Sequence, residues 1–169
     1  MATYTLISSV TVGSGGAANI TFSSIPQTYT DLVIKLSSRT NRGTVVGDFV
    51  VVSFNGNTAN RSSRDLYGSG SGTFSGSYST MYGALANSGD STASTFGNAE
   101  IYIPNYTSSN NKSISVDSVS ENNATEAYTY LNAGLWSNSS AITSVTLTPN
   151  VGTLFNQYST AYLYGISNA

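Results

Sequence analysis

The chain contains no cysteine and no histidine, and only 8% of its residues are charged. Without thiols there are no disulfides, thiolate nucleophiles or zinc–thiolate sites. Without imidazole there is no Ser-His-Asp triad and no histidine general base. No window approaches the roughly 18 consecutive apolar residues of a membrane span. The opening Met1-Ala2-Thr3-Tyr4-Thr5-Leu6 also lacks the basic patch and the apolar stretch of about 7–15 residues that mark a secretory signal. The expectation is a soluble protein synthesised in the cytoplasm. A net charge of −2 and a pI near 4.7 argue against nucleic acid and anionic membranes as partners, since both require a large positive field.

What the chain has instead is small uncharged polarity: 30 Ser, 21 Thr and 17 Asn make up 68 of 169 residues. These side chains hydrogen-bond locally and suit turns and strand faces. The 39% hydrophobic share is dominated by Val, Ile, Leu and Tyr, which favour half-buried pleated surfaces. A length of 169 residues suits one domain, residues 1–169, able to bury roughly 70% of its unfolded surface without a covalent staple.

Strand-like runs occur at residues 4–12, 19–23, 31–38, 47–55, 98–103, 112–119, 125–136, 142–148 and 160–166, with a weaker one near 77–82. In Asp31–Ser38, Leu32, Ile34 and Leu36 share one face and Val33, Lys35 and Ser37 the other, as a period of two demands. In residues 142–148, Val145 and Leu147 oppose Ser144, Thr146 and Thr148. Phe49 to Phe54 is apolar on both faces, which marks a strand that is central, covered twice or facing another subunit. No segment carries the i, i+3, i+4, i+7 pattern of a helix, and residues 81–86 offer one helical turn at most. Regular strands without intervening helices predict an all-β protein, an antiparallel β-sandwich or jelly roll. Residues 55–97, centred on Gly68-Ser69-Gly70-Ser71-Gly72, are the least patterned and predict a long Gly/Ser-rich insertion, either a mobile loop or an arm docking on a neighbour.

Carboxylates remain the main acid–base candidates. Asp31, Asp48, Asp65, Asp90 and Glu100 are the groups from which a glycosidase pair would be drawn, yet no spacing groups any two. Asp117, Glu121 and Glu126 lack the frame of a calcium loop. The glycine-rich segments at 13–16 and 68–72 precede no helix and no Lys-Ser/Thr, so they read as turns rather than phosphate cradles. The reading is a non-enzyme without cofactor or metal.

Interaction residues are the more productive search. Arg39, Arg42, Arg61 and Arg64 are four of the six cations, whereas Asp90, Glu100, Asp117, Glu121 and Glu126 are five of the eight anions. Opposite net signs in the two halves suit pairing between subunits, where arginine's planar fork binds carboxylates. Phe49, Phe54, Tyr162 and Tyr164 are the apolar and aromatic interface candidates.

Ile25-Pro26-Gln27-Thr28-Tyr29-Thr30-Asp31-Leu32-Val33-Ile34 resembles a sequence recurring in structural proteins of tailed phages, notably those of cyanobacteria and other aquatic hosts. Ile103-Pro104-Asn105-Tyr106, then the run from Trp136 through Pro149, then Tyr162-Leu163-Tyr164-Gly165-Ile166, are similar to the later blocks of that group. The resemblance implies a virion component with a β-sandwich module, and no active-site residues accompany it. One compact domain without a coiled coil or shaft suits a capsid decoration or cement protein. Such a protein binds the outer head surface in many copies and bridges subunits of the major capsid protein, with a homotrimer as the natural form. The alternative is a tail fibre or spike module holding a host surface glycan through exposed Tyr and Trp136.

Overall fold

The computed structural model describes residues 2–123 and 126–167. Among them are twelve strands and no helix: β1 (Thr3–Thr11), β2 (Ile20–Phe22), β3 (Asp31–Ser38), β4 (Gly47–Phe54), β5 (Arg61–Gly68), β6 (Thr73–Tyr78), β7 (Tyr82–Asn87), β8 (Gly97–Ile103), β9 (Lys112–Ser120), β10 (Tyr128–Trp136), β11 (Val145–Pro149) and β12 (Thr160–Ser167). They form an eight-stranded sheet in the order β1-β12-β3-β8-β9-β10-β5-β6 and a four-stranded sheet in the order β2-β11-β4-β7. Every paired neighbour is antiparallel. The protein is therefore an all-β sandwich, and its eight-plus-four plan is larger than the eight-strand jelly roll.

Period-two alternation sorts the strands onto the core. Leu32, Ile34 and Leu36 of β3 and Val145 and Leu147 of β11 all enter the main hydrophobic cluster. Each side chain removed from water there contributes about 1.5–3 kcal/mol. β4 lies between β11 and β7 and is covered on both faces. Val50, Val52 and Phe54 face the main cluster with Ala84 and Ala86 of β7. Phe49 and Val51 face a second, aromatic cluster with Tyr82, Leu85, Tyr130, Tyr67, Tyr78 and Tyr128. Phe49 stacks on Tyr82 at 4.5 Å between ring centroids and tilts against Tyr130 at 5.5 Å. Its two apolar faces are thus explained within one chain, without a second subunit.

The long loop expected over 55–97 is corrected by three strands, β5, β6 and β7. The weak run near 77–82 straddles the gap between β6 and β7, and the candidate helical turn at 81–86 is the extended β7. The misreading has a physical cause. The inward residues of β5 and β6 are Ser63, Asp65, Tyr67, Phe74, Gly76 and Tyr78, with no aliphatic side chain to give a clear apolar alternation, and β7 is buried at every position. β7 rests on β8 and β9, where the Leu85 N–H donates to Ser118 Oγ at 3.0 Å. Gly97 permits this approach, since a Cβ there would meet the Leu85 carbonyl at 2.9 Å. The expected start of a strand at Thr125 lies outside the described residues, and β10 begins at Tyr128.

Candidate functional site

One face of the large sheet is turned away from both clusters. A single register line crosses it from Ser9 through Tyr162, Lys35, Glu100, Asp117, Leu131 and Leu66 to Ser75. Its two ends differ in chemistry because the outward positions of β10 and β5 carry leucines where those of β12, β3 and β8 carry tyrosine and charged residues. On β10, Tyr130, Asn132, Gly134 and Trp136 point inward, which sends Leu131, Ala133 and Leu135 outward. Leu66 on β5 lies directly opposite Leu131. The three leucines are 53%, 50% and 38% exposed at 66, 131 and 135, on a rigid sheet between Arg64 and Asp117. Isolated exposed leucines are ordinary, but Leu66 and Leu131 lie side by side on adjacent strands and continue along β10 through Ala133 to Leu135, an apolar strip of the kind that marks contact surfaces.

At the other end, Tyr162 borders a depression of about 450 Å³ with Lys35, Glu100, Asp117, Asn98 and Thr160. Lys35 is ion-paired with Glu100. Tyr164 and Tyr102 flank Val33, which is buried on this face although it looks away from the main core. Beyond them the edge strand β1 exposes Tyr4 and Leu6.

The residues expected to meet a partner divide sharply. Arg64 is exposed, Tyr162 is exposed and Tyr164 is half-buried, all on the outer face. Phe54 is wholly buried and meets Trp136 edge-on at 5.6 Å, and Phe49 packs in the aromatic cluster. Three arginines are spent on their own backbone. Arg39 donates to the carbonyls of Thr92, Thr95, Gly89 and Ser91 at 2.8–3.1 Å. Arg61 donates to Thr58 and Val52 carbonyls at 2.9 and 2.8 Å. Arg42 donates to the Gly47 carbonyl at 3.2 Å and lies 3.6 Å from Asp48. Burial pushes the Arg39 and Arg61 guanidiniums down from their ordinary value. As contact residues Arg39, Phe49, Phe54 and Arg61 are thus corrected: their donors and rings are occupied inside the fold. Trp136, expected to hold a glycan, is 1% exposed and belongs to the core. The exposed leucines at 66, 131 and 135 were not singled out from the sequence, although the odd-numbered alternation of β10 carries the signal for Leu131 and Leu135.

The carboxylates do not converge on a reaction centre. Asp48 is buried and accepts from Thr40 Oγ1, Val151 N–H and Gly152 N–H at 3.0, 3.2 and 2.9 Å. Asp31 accepts from Tyr102 Oη and Asn105 N–H at 2.9 and 2.8 Å. Glu100 and Asp117 are register partners with both side chains outward. Asp117 is exposed and Glu100 is half-buried but ion-paired with Lys35, so neither has the apolar enclosure that a glycosidase general acid needs. Among the described residues no three His, Cys, Asp or Glu side chains gather as metal ligands. Asp65 stands apart: it is 6% exposed, faces inward opposite Asn132, and neither of its carboxylate oxygens makes a hydrogen bond of ordinary geometry, although the Gly76 N–H and the Tyr78 and Tyr130 hydroxyls lie close enough to act on it. Burial pushes its carboxyl up, against the opposing pull of the Gly76 N–H and the Tyr78 hydroxyl. Burial raises the neighbouring Tyr130 hydroxyl strongly as well, with the Asp65 charge adding to it.

No protein-family model, no curated protein and no solved structure matches this chain.

Proposed function

We propose that the protein is a virion structural component of a tailed phage, a capsid decoration or cement protein that attaches in many copies to the outer head surface. The observation that carries this reading is the apolar outer face of Leu66, Leu131 and Leu135. It joins the resemblance of the segments 25–34, 103–106, 136–149 and 162–166 to phage structural proteins. Burying such a face against the major capsid protein releases roughly 25 cal/mol per Å² of apolar surface. Repeated over many copies, this binding free energy favours the closed shell over any opened one. Arg64 and Asp117 at the margin of the leucines set register rather than strength, as rim charges do. Trimerisation at capsid three-fold positions places copies of the same face on symmetric sites.

The test is re-decoration of capsids purified without this protein, with bound copies counted by quantitative gel staining. Hundreds of copies per particle, lost in a folded Leu66→Asp, Leu131→Asp double variant, are expected. Occupancy unaffected by the double substitution would remove the leucine face from the interface, and occupancy of only a few tens would favour an appendage. A tail fibre or spike module that recognises host glycan is the second reading, favoured by Tyr162 beside the polar depression on the same face.

A further inference from the structure

We infer that the loop end of the sandwich carries a binding site for a carboxylated saccharide. The site is built where the β1–β2, β7–β8 and β11–β12 loops meet the end of β3, forming an open depression of about 470 Å³ lined by Arg39, Ser94, Phe96, Asn156, Gln157 and Tyr158. That volume falls within the range of about 300–1,000 Å³ typical of small-ligand sites.

Two independent features set this cavity apart from the others. The first is charge. Arg39 is 8% exposed, and its four bonds to the carbonyls of Gly89, Ser91, Thr92 and Thr95 supply dipoles but no counter-charge. The described ion pairs are Lys35–Glu100 and Arg42–Asp48, so no carboxylate neutralises Arg39. A buried cation without a counter-ion is electrostatically incomplete, and an anion admitted to the cavity beside it completes the pair.

The second is backbone strain. Tyr158 has φ of +73° and Ser94 has φ of +62°, a region that bulky side chains rarely adopt and that is costly to hold. The strain presents the Tyr158 ring to solvent, 68% exposed, while its own N–H is fixed to the Val12 carbonyl at 2.9 Å. Exposing an aromatic ring on a pinned, strained backbone gains nothing for folding, whereas it provides a rigid stacking surface at the cavity mouth.

The lining then specifies the ligand class. Tyr158 and Phe96 offer aromatic surface to the C–H face of a pyranose ring. Asn156, Gln157 and Ser94 offer donors and acceptors for hydroxyls, and the Arg39 charge, its terminal N–H groups held by the loop carbonyls, attracts a carboxylate on the ring through space rather than by a direct fork. A neutral sugar leaves the arginine charge unmatched, and a bare inorganic anion leaves the aromatic wall unused. The site lies on the loops rather than on the outer sheet face, so the inference does not depend on where in a virion the protein sits.

The test is isothermal titration of the full chain with trigalacturonate, its methyl ester, a neutral maltotriose and inorganic phosphate, repeated with Tyr158→Gly and Gln157→Ala. The free acid is expected to bind saturably and at least tenfold more tightly than the ester, maltotriose or phosphate, with affinity falling as salt rises. Tyr158→Gly is expected to weaken binding at least tenfold while its melting temperature stays equal to the parent's or rises by up to about 4 °C, because glycine accepts the left-handed backbone. Gln157→Ala supplies a second lesion at an exposed position that leaves the fold intact. No saturable binding of the acid, equal binding of ester or phosphate, or a Tyr158→Gly protein that binds like the parent would each overturn the inference.

Discussion

Asp65 is the least comfortable residue in the fold, and replacing it by Asn tests the account of the aromatic cluster. Its carboxylate is buried without a hydrogen bond of ordinary geometry, only partly compensated by the Gly76 N–H and the Tyr78 and Tyr130 hydroxyls, and Asn132 opposite has an unpartnered Oδ1 while its Nδ2 donates to Tyr130 Oη at 2.7 Å. Desolvation raises the Asp65 carboxyl above its ordinary 3.8. The folded protein therefore holds a proton there at pH values where the unfolded chain has released it. The contribution to stability is full below 3.8 and is lost as pH rises through the folded value, with a slope no steeper than about 1.4 kcal/mol per pH unit. An amide cannot ionise, and its N–H can donate to the Asn132 oxygen. Asp65→Asn is thus expected to be more stable than the parent by about 1–3 kcal/mol at pH 7, the usual cost of an unsatisfied buried polar group, with the difference closing toward pH 3.5. Urea unfolding of both proteins at pH 3.5, 5 and 7 reads this directly, since subtracting one curve from the other cancels the remaining carboxylates. A variant less stable than the parent at pH 7, or a difference that does not change with pH, would refute the reasoning.

Ile34→Ala and Leu147→Ala remove wholly buried side chains from opposite sheets of the main core and are each expected to cost about 2–5 kcal/mol in denaturant unfolding; a loss below about 0.5 kcal/mol at either would place that residue on the wrong face. Arg39→Ala removes the donors that hold four carbonyls between Gly89 and Thr95, so a loss of about 3 kcal/mol is expected. Amide exchange should accelerate first across residues 88–96, and unchanged protection there would show that the loop holds itself.

Most of the fold was legible because most strands obey one rule. β3 alternates large apolar and polar residues, so its limits and its core face follow from the sequence alone. β4 breaks the alternation, and its breach is informative: a run apolar on both faces requires two covers, which the main and aromatic clusters supply. β5, β6 and β7 were illegible for the opposite reason. A period-two signal requires apolar residues on one face only, and here the inward face of β5 is Ser63, Asp65 and Tyr67 while β7 is enclosed on both sides. The arginines misled because charge implies exposure in a sequence, whereas guanidinium forks at Arg39 and Arg61 serve backbone carbonyls that loops leave unpaired. Tertiary packing assigned those donors, and no local pattern announces it. The leucines of β5 and β10 were readable in principle, since Leu131 and Leu135 sit out of phase with Tyr130 and Trp136.

The distribution of protected and unprotected surface fits the proposed attachment to a larger surface. The β4–β7 half of the four-stranded sheet is shielded, since β4 is covered on both faces and the β7 edge rests on β8 and β9 through Ser118, whereas the β2–β11 half presents only threonines, Thr21, Thr146 and Thr148, to its outer side. The eight-stranded sheet keeps an open outer face and an edge strand, β1, that has no Lys, Glu, Asp, Arg or Pro in its nine residues. Soluble proteins blunt such edges with charge, proline or bulges because unpaired strand backbone invites pairing with another chain. β1 has one irregularity, between Leu6 and Ser8, and exposes Tyr4 and Leu6 on either side of Thr5. With charge held to 8%, repulsion between copies is weak as well. A monomer selected only to stay apart from its neighbours gains nothing from leaving this edge and the leucine face open, whereas a subunit that functions by lying against a larger surface needs both.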